Sequence, residues 1–468
     1  MRHPEWRTVL TEAAERAIAF LESLEDRPVA APATLAELRH ALGVGLPEHP
    51  EPADKVVAEL ASAADRGTVG TQSGRYFGFV IGGAMPAALG ADWLAAAWDQ
   101  NAGLYVGGPA AAVAEEVAAA WLLDLLGLPR GVSTGFVTGG QMANTTALAI
   151  ARHHVLAAAG WNVERDGLAG APPVRVLAGR QRHASIDRGL RYLGLGTAAL
   201  EPVATDDQGR MQPDALAAAL GGQPGPAIVC AQLGEVNTGG LDPVGAVCDV
   251  AQPHGAWVHV DGAFGLWARA TPRLRSDTDG AERADSWACD AHKWLNVPYD
   301  CGLVFSAHPE SHRAAMGTQA SYLIRDEGGR REQMDWNPEF SRRARGFPVY
   351  AALRSLGRSG VVDLVDGCCV MARRFAEQLG AADGATVLND VVLNQVLVRF
   401  DGDDDRNRQI LAAIQQEGTC WMSGTTWRGR VAMRISVSNW STTAADVDAS
   451  VAAILRCAAA QPLWSLSR

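Results

Sequence analysis

Between residues 81 and 345, short apolar β-rich runs alternate with stretches of helical periodicity, and this alternation constrains the fold more than any other feature of the chain. The runs at 134–138 (TGFVT), 174–179 (VRVLAG), 227–232 (AIVCAQ), 256–261 (AWVHVD) and 301–306 (CGLVFS) read as strands, and helices fill the gaps between them. That order predicts an α/β domain built on a mostly parallel sheet. Residues 1–80 read instead as amphipathic helices joined by Pro-rich segments. Residues 346–468 mix helices with strands (VVLNQVLVRF, RVAMRISVS) and predict a smaller α+β domain. A chain of 468 residues exceeds one small core, so this division into 1–80, 81–345 and 346–468 is the expected organisation.

The formal net charge of -11 argues against nucleic acid or anionic lipid as a partner, since both need a basic face. A local basic cluster such as SRRARG at 341–346 reads as a solvated loop or an anion-pairing segment. Acidic residues interrupt the N-terminal apolar stretch, so a signal peptide is not expected, and no apolar run approaches the roughly 20 residues that cross a bilayer. These features predict a soluble, cytoplasmic protein. The eight cysteines are scattered without a C-x-x-C pair and read as buried free thiols. His153 and His154 are helix neighbours about 100° apart, a poor metal site, and no metal is expected.

Only two lysines occur, Lys55 and Lys293, although Lys and Arg together number 41. Arginine serves wherever charge alone is wanted, but a guanidinium cannot act as an amine nucleophile. Lys293, in DSWACDAHKWLNVPYDCG (285–302), is therefore a candidate for covalent chemistry. Upstream, TGFVTGGQMANTTALAIARHH (134–154) places Gly139 and Gly140 between a strand and a helix, where backbone N–H groups and the helix terminus suit a phosphate. Taken singly it could equally be an ordinary tight turn. In AWVHVDGAFG (256–265), Asp261 ends a strand, where ligands of open α/β sheets bind, though Asp before Gly is often only a turn residue. In the order phosphate turn, Asp, Lys, the three describe a site for pyridoxal 5'-phosphate (PLP): the carboxylate against a pyridinium nitrogen, the lysine bonding the aldehyde, the turn holding phosphate.

The segment DAHKWLNVPYDCG resembles the cofactor-lysine segment of the group II pyridoxal-dependent decarboxylases, which comprise aromatic-L-amino-acid, histidine and glutamate decarboxylases on the aspartate aminotransferase fold (fold type I). The resemblance runs from the N-terminal helices through GRYFGFVIGG to TTWRGRVAMRISVSNWST (425–442). It implies that Lys293 carries the cofactor, Asp261 pairs with its ring nitrogen, Ala263 lies against the ring, and His292, Gly140 and Gln141 hold the phosphate. It also implies that His183 stacks on the ring. Tyr322, in the loop TQASYLIRDEGGRREQMDW (318–336), would return a proton to the substrate's Cα after CO2 leaves. Phe79, Val80 and Ile81 would line the side-chain pocket, with Tyr105 and Val106 reaching it from the partner of a homodimer.

Some positions depart from the better-known members. Asp290-Ala291 stands where aromatic decarboxylases have Asn-Pro, Gln141 where they place a hydroxyl residue, and Val236 where relatives use Thr near the cofactor's 3'-oxygen, a contact Asn237 is expected to take over. The expectation is decarboxylation of a hydrophobic or aromatic L-amino acid to an amine. Aldehyde synthesis, transamination, aldol or elimination chemistry, and a catalytically silent binding subunit, are the alternatives.

Overall fold

The computed structural model describes residues 5–318 and 331–461. Its N-terminal part holds the helices α1 (Trp6–Glu22), α2 (Leu35–Leu42) and α3 (Ala53–Asp65), none of which buries a residue. Thr34 and Glu37 form a capping box that fixes the start of α2. The short β1 (Tyr76–Phe77) follows, then α4 (Pro86–Trp98) and α5 (Pro109–Leu126), each opened by a proline whose missing N–H costs nothing there.

The central sheet has seven strands: β2 (Ser133–Val137), β3 (Arg175–Gly179), β4 (Leu200–Val203), β5 (Ala227–Gln232), β6 (Trp257–Asp261), β7 (Ser286–Asp290) and β8 (Gly302–Ser306). Their spatial order is β2-β8-β7-β6-β5-β3-β4, and β8 alone runs against the rest. The five strands expected from the sequence are present with ends shifted by a residue or less at most positions. The additional strands β4 and β7 give no alternating pattern: β7 is buried at all five positions.

Helix α6 (Gly140–Ala158), the short α7 (Val163–Asp166) and α8 (Ala184–Tyr192) follow β2 and β3, and α6 packs over β7 and β8 and against α8. Alternate strand residues feed separate cores: Val176, Ile228, Trp257 and Ala288 pack with α6, whereas Leu177, Val229, Val258 and Trp287 belong to the larger cluster on the other face. With a period of two, His259 and Asp261 share the α6 face with Trp257, and Asp290 shares it with Ala288.

A second sheet, β1-β11-β12-β10-β9, gathers β9 (Ala385–Val387), β10 (Gln395–Phe400), β11 (Trp421–Trp427) and β12 (Arg430–Ser436), with β1 added parallel to β11. A segment some 340 residues upstream of β11 thus completes the C-terminal sheet. The basic cluster at 341–346 is the anion-pairing segment of the two readings. Arg342 lies 2.7 Å from Glu115, both side chains nearly fully buried, and donates to the carbonyls of Ala102 and Phe136; Arg343 pairs with Asp92 and Arg345 with Asp300. All eight cysteines are free and buried. Among the described residues no helix is long and apolar enough to cross a membrane.

Candidate active site

The carboxyl ends of β5, β6 and β7 align, Gln232 opposite Asp261 and Asp261 opposite Ala288, and the predicted residues collect beyond them. Lys293 lies in the turn after β7. Its Nζ is 3.0 Å from Oδ2 of Asp290, whose side chain is only 2% exposed. The backbone of this turn is held from two sides. Asn296, at φ 56°, accepts from the N–H groups of Gly83 and Trp440 and donates to the carbonyls of Trp294 and Ser438. Gly82 touches the Lys293 carbonyl so closely that an added Cβ would lie 1.8 Å from its oxygen. Only glycine permits that approach.

The glycine turn faces the same space. A Cβ on Gly139 would stand 2.9 Å from Cε1 of His292, and one on Gly140 would stand 2.7 Å from Oδ2 of Asp290 and 3.5 Å from Cβ of Ala263. No side chain caps α6, so the N–H groups of its first turn remain available to an anion. His292 Nδ1 accepts from the Cys301 N–H, which puts the ring proton of the neutral form on Nε2, 3.6 Å from Oδ1 of Asp290. Burial lowers the His292 pKa, with Asp290 opposing. Oδ1 of Asp290 is buried without a hydrogen-bond partner. A bare helix terminus, an imidazole N–H and two glycines at which a Cβ would intrude on His292 and Asp290 form a cradle that fits a phosphate. Gln141 is occupied differently from its expected role: its amide donates to Thr145 Oγ1 and the Ser185 carbonyl, leaving its backbone N–H as its contribution to the cradle.

Asp261 is held by a directed chain of hydrogen bonds that sequence reasoning missed. Trp257 Nε1 donates to Ser286 Oγ (2.9 Å), which lies 2.9 Å from His259 Nδ1. His259 Nε2 is 2.9 Å from Asn144 Oδ1, and Asn144 Nδ2 donates to Asp261 Oδ2 at 2.9 Å. Complete burial lowers the His259 pKa to about 4, so the ring is neutral and each donor has one acceptor. The Ala263 N–H donates to the other carboxylate oxygen at 3.2 Å. Asn144 also donates to Ser185 Oγ, which contacts His183 Nδ1 at 2.8 Å. That nitrogen accepts from the Ser185 N–H, placing the ring proton of neutral His183 on Nε2. Burial lowers the His183 pKa; Asp261 opposes this, and the charges of Lys293 and Arg434 reinforce it. One signal was available beforehand: His259 precedes Asp261 by two positions on one strand face.

Arg434, on β12, was not singled out from the sequence. It is 8% exposed, its Nε has no hydrogen-bond partner, and its charge acts on His183. Asn237 is committed elsewhere: its amide donates to Glu235 and accepts from Thr425 Oγ1, tying the loop after β5 to β11. Of the expected pocket segment, Phe79 is 57% exposed and packs on Trp421, Ile81 is half-buried, and Val80 is 1% exposed within the core. Phe79 and Val80 both take positive φ, 53° and 58°, a conformation β-branched residues avoid. Tyr105 opens a 3-10 turn with its N–H on Glu332, and Val106 beside it is 82% exposed. Tyr322 lies outside the described residues.

Residues 36–401 match the pyridoxal-dependent decarboxylase conserved domain. Tryptophan decarboxylase 1 of Oryza sativa subsp. japonica is 28% identical over 471 residues, 92% of this chain and 90% of that protein. Phenylacetaldehyde synthase of Petunia hybrida is 25% identical over 443 residues, covering 89% and 87%. The crystal structure of Oryza sativa TDC with PLP and tryptamine superposes with a TM-score of 0.91 at 25% identity, covering 98% of this chain and 99% of that one. The fold type I architecture expected from the sequence is therefore present, and the chain belongs to the pyridoxal-dependent decarboxylase family, as an amino acid decarboxylase whose cofactor is PLP.

Proposed function

We propose that the protein decarboxylates a hydrophobic or aromatic L-amino acid, releasing CO2 and the amine. The observation that carries this reading is the convergence of Lys293, the hydrogen-bonded Asp261 and neutral His183 around the glycine cradle. When bound, PLP supplies an electron sink that accepts the bonding pair released as the carboxylate leaves. The residues that would hold it are Lys293 through its amine, Asp261 at the ring nitrogen, the first turn of α6 with His292 at the phosphate, and His183 with Ala263 at the ring faces.

Each residue then has a definable task. Asp261, fixed by Asn144 and the Ala263 N–H, keeps a negative charge where a protonated ring nitrogen needs it. His183 offers its Nε2–H, and Arg434 its guanidinium, to the substrate carboxylate, orienting the bond to be broken. Tyr322 would deliver a proton to Cα once CO2 has left, the role the family resemblance implies for it. The apolar preference is supported by segment 79–82, which carries no charge, and by Arg75, whose Nη2 donates to the carbonyls of Leu24 and Glu25.

A homodimer in the cytoplasm completes the reading. The N-terminal helices leave Leu10, Ile18 and Leu60 exposed at 53%, 49% and 59%, with Trp93 and Val106 at 42% and 82%, an apolar surface suited to a second copy. A fully active monomer by light scattering would count against it. The function is tested by incubating holoenzyme with a panel of L-amino acids and measuring CO2, amine, aldehyde and peroxide together. Amine equimolar with CO2 from an aromatic or aliphatic substrate is expected; aldehyde with peroxide in its place would move the protein to the chemistry named for its Petunia relative. Lys293→Ala abolishes turnover and the visible-range absorbance of the holoenzyme, and retention of both rejects the lysine assignment.

A further inference from the structure

Asp290 raises a problem that the cradle does not solve by itself. Its carboxylate is buried where a phosphate has to sit, and two like charges in that space repel. Lys293 has the complementary problem: an ordinary lysine is an ammonium at neutral pH and must lose a proton before its nitrogen can attack a carbonyl carbon. The two groups are 3.0 Å apart. We propose that Asp290 is the proton acceptor for Lys293 during cofactor capture. Lys293 passes one proton to Oδ2, and the neutral amine forms an N–C bond to the aldehyde carbon, its two remaining hydrogens leaving with the aldehyde oxygen as water. The same transfer turns Asp290 into a carboxylic acid, which donates to the phosphate where a carboxylate would reject it. One proton moving along one contact activates the nucleophile and clears the cradle. The orphaned Oδ1 fits this assignment, because the neutral acid is cheaper to bury with one oxygen unpaired than the anion is.

Among the described residues Lys293 has no second carboxylate at this distance. On its own strand the neighbouring Cys289 thiol points to the opposite face, and from its own turn Asp290 is faced by His292. Glycines 139 and 140 approach from α6, Asp261 lies at the end of β6, and His183 stands at the start of α8. Tyr299 and Cys301 come from the loop before β8, where Asp300 is already paired with Arg345 at 2.9 Å.

The proposal rests on Lys293 as the residue that bonds the cofactor, and the experiment separates the two. PLP is added to wild type and to Asp290→Asn, and the rate at which visible-range absorbance appears is followed against pH. Asparagine can still donate to a phosphate but cannot take the proton. Wild-type capture is expected to be flat between about pH 6 and about pH 9, where an ordinary carboxylate and an ordinary ammonium are both charged. The variant is expected to be slower at neutral pH and to accelerate about tenfold per pH unit, as a free amine does below its pKa. Pyridoxine 5'-phosphate, which has the phosphate but no aldehyde, should bind both proteins. A variant with the wild-type rate and profile overturns the proposal. If the variant fails to bind pyridoxine 5'-phosphate, the wild-type profile decides alone: a tenfold rise per unit refutes the internal acceptor. Borohydride reduction with peptide mapping reports the lysine independently, since label absent from Lys293 removes that assignment whatever the pH profile.

Discussion

Asn144→Ala tests the chain of hydrogen bonds beneath the site. Asn144 is 1% exposed and bridges His259 Nε2 and Asp261 Oδ2, joining a strand to a helix 117 positions away in sequence. Truncation orphans one buried donor, the His259 N–H, and one acceptor oxygen of Asp261, which keeps the Ala263 N–H on its other oxygen. Each orphaned buried group costs about 1–3 kcal/mol, so a combined loss of about 3 kcal/mol is expected once partial relaxation is allowed for. Part of the loss falls on the fold and part on cofactor affinity, because Asp261 no longer has its orientation fixed for a ring nitrogen. Denaturant melts of the holoenzyme and spectroscopic PLP titrations measure the two parts. His259→Phe serves as the second arm of a double-mutant cycle: the two substitutions should be non-additive by about 1 kcal/mol or more, since either one breaks the same link. Unchanged stability and affinity in Asn144→Ala, or strict additivity with His259→Phe, would refute the network as the support of Asp261.

Three further outcomes are expected. Gly82→Ala drives a Cβ into the Lys293 carbonyl, a backbone obstacle that cannot rotate away, and should cost about 3 kcal/mol, the upper part of the overpacking range, with weakened PLP retention; normal melting and full cofactor content would contradict the contact. His259 has a native pKa of about 4 against an ordinary 6.5, so the unfolded chain takes up a proton first as pH falls. Stability is whole above about pH 6.5, declines through the window to about 4 and then levels off, a loss of about 3 kcal/mol that His259→Phe removes; identical acid slopes in wild type and variant reject it. Arg434→Gln should lower kcat/KM by about ten- to a hundredfold, the worth of a charge-assisted hydrogen bond of roughly 1.5–3 kcal/mol, while the PLP spectrum stays intact. Unaltered kinetics would show that the guanidinium does not meet the substrate.

The sequence by itself determined the α/β class of the central domain, because strand and helix periodicity are local and five of the seven central strands announce themselves. It also marked Lys293, Asp261 and the Gly139–Gly140 turn, since each depends on a residue type that no other replaces: an amine nucleophile, a carboxylate at a strand end, a turn without Cβ atoms. It did not show β7, whose residues are buried at every position and so leave no alternation to read. What only the tertiary structure decided is how those residues are served. Asn144, His259, Ser185 and Arg434 come from different helices and strands, and Gln141 and Asn237 are taken up by neighbours the sequence does not reveal. The partner of a buried polar atom is fixed by packing geometry across the chain, not by spacing along it, and the departure at Asp290 gains its meaning only from the 3.0 Å contact with Lys293.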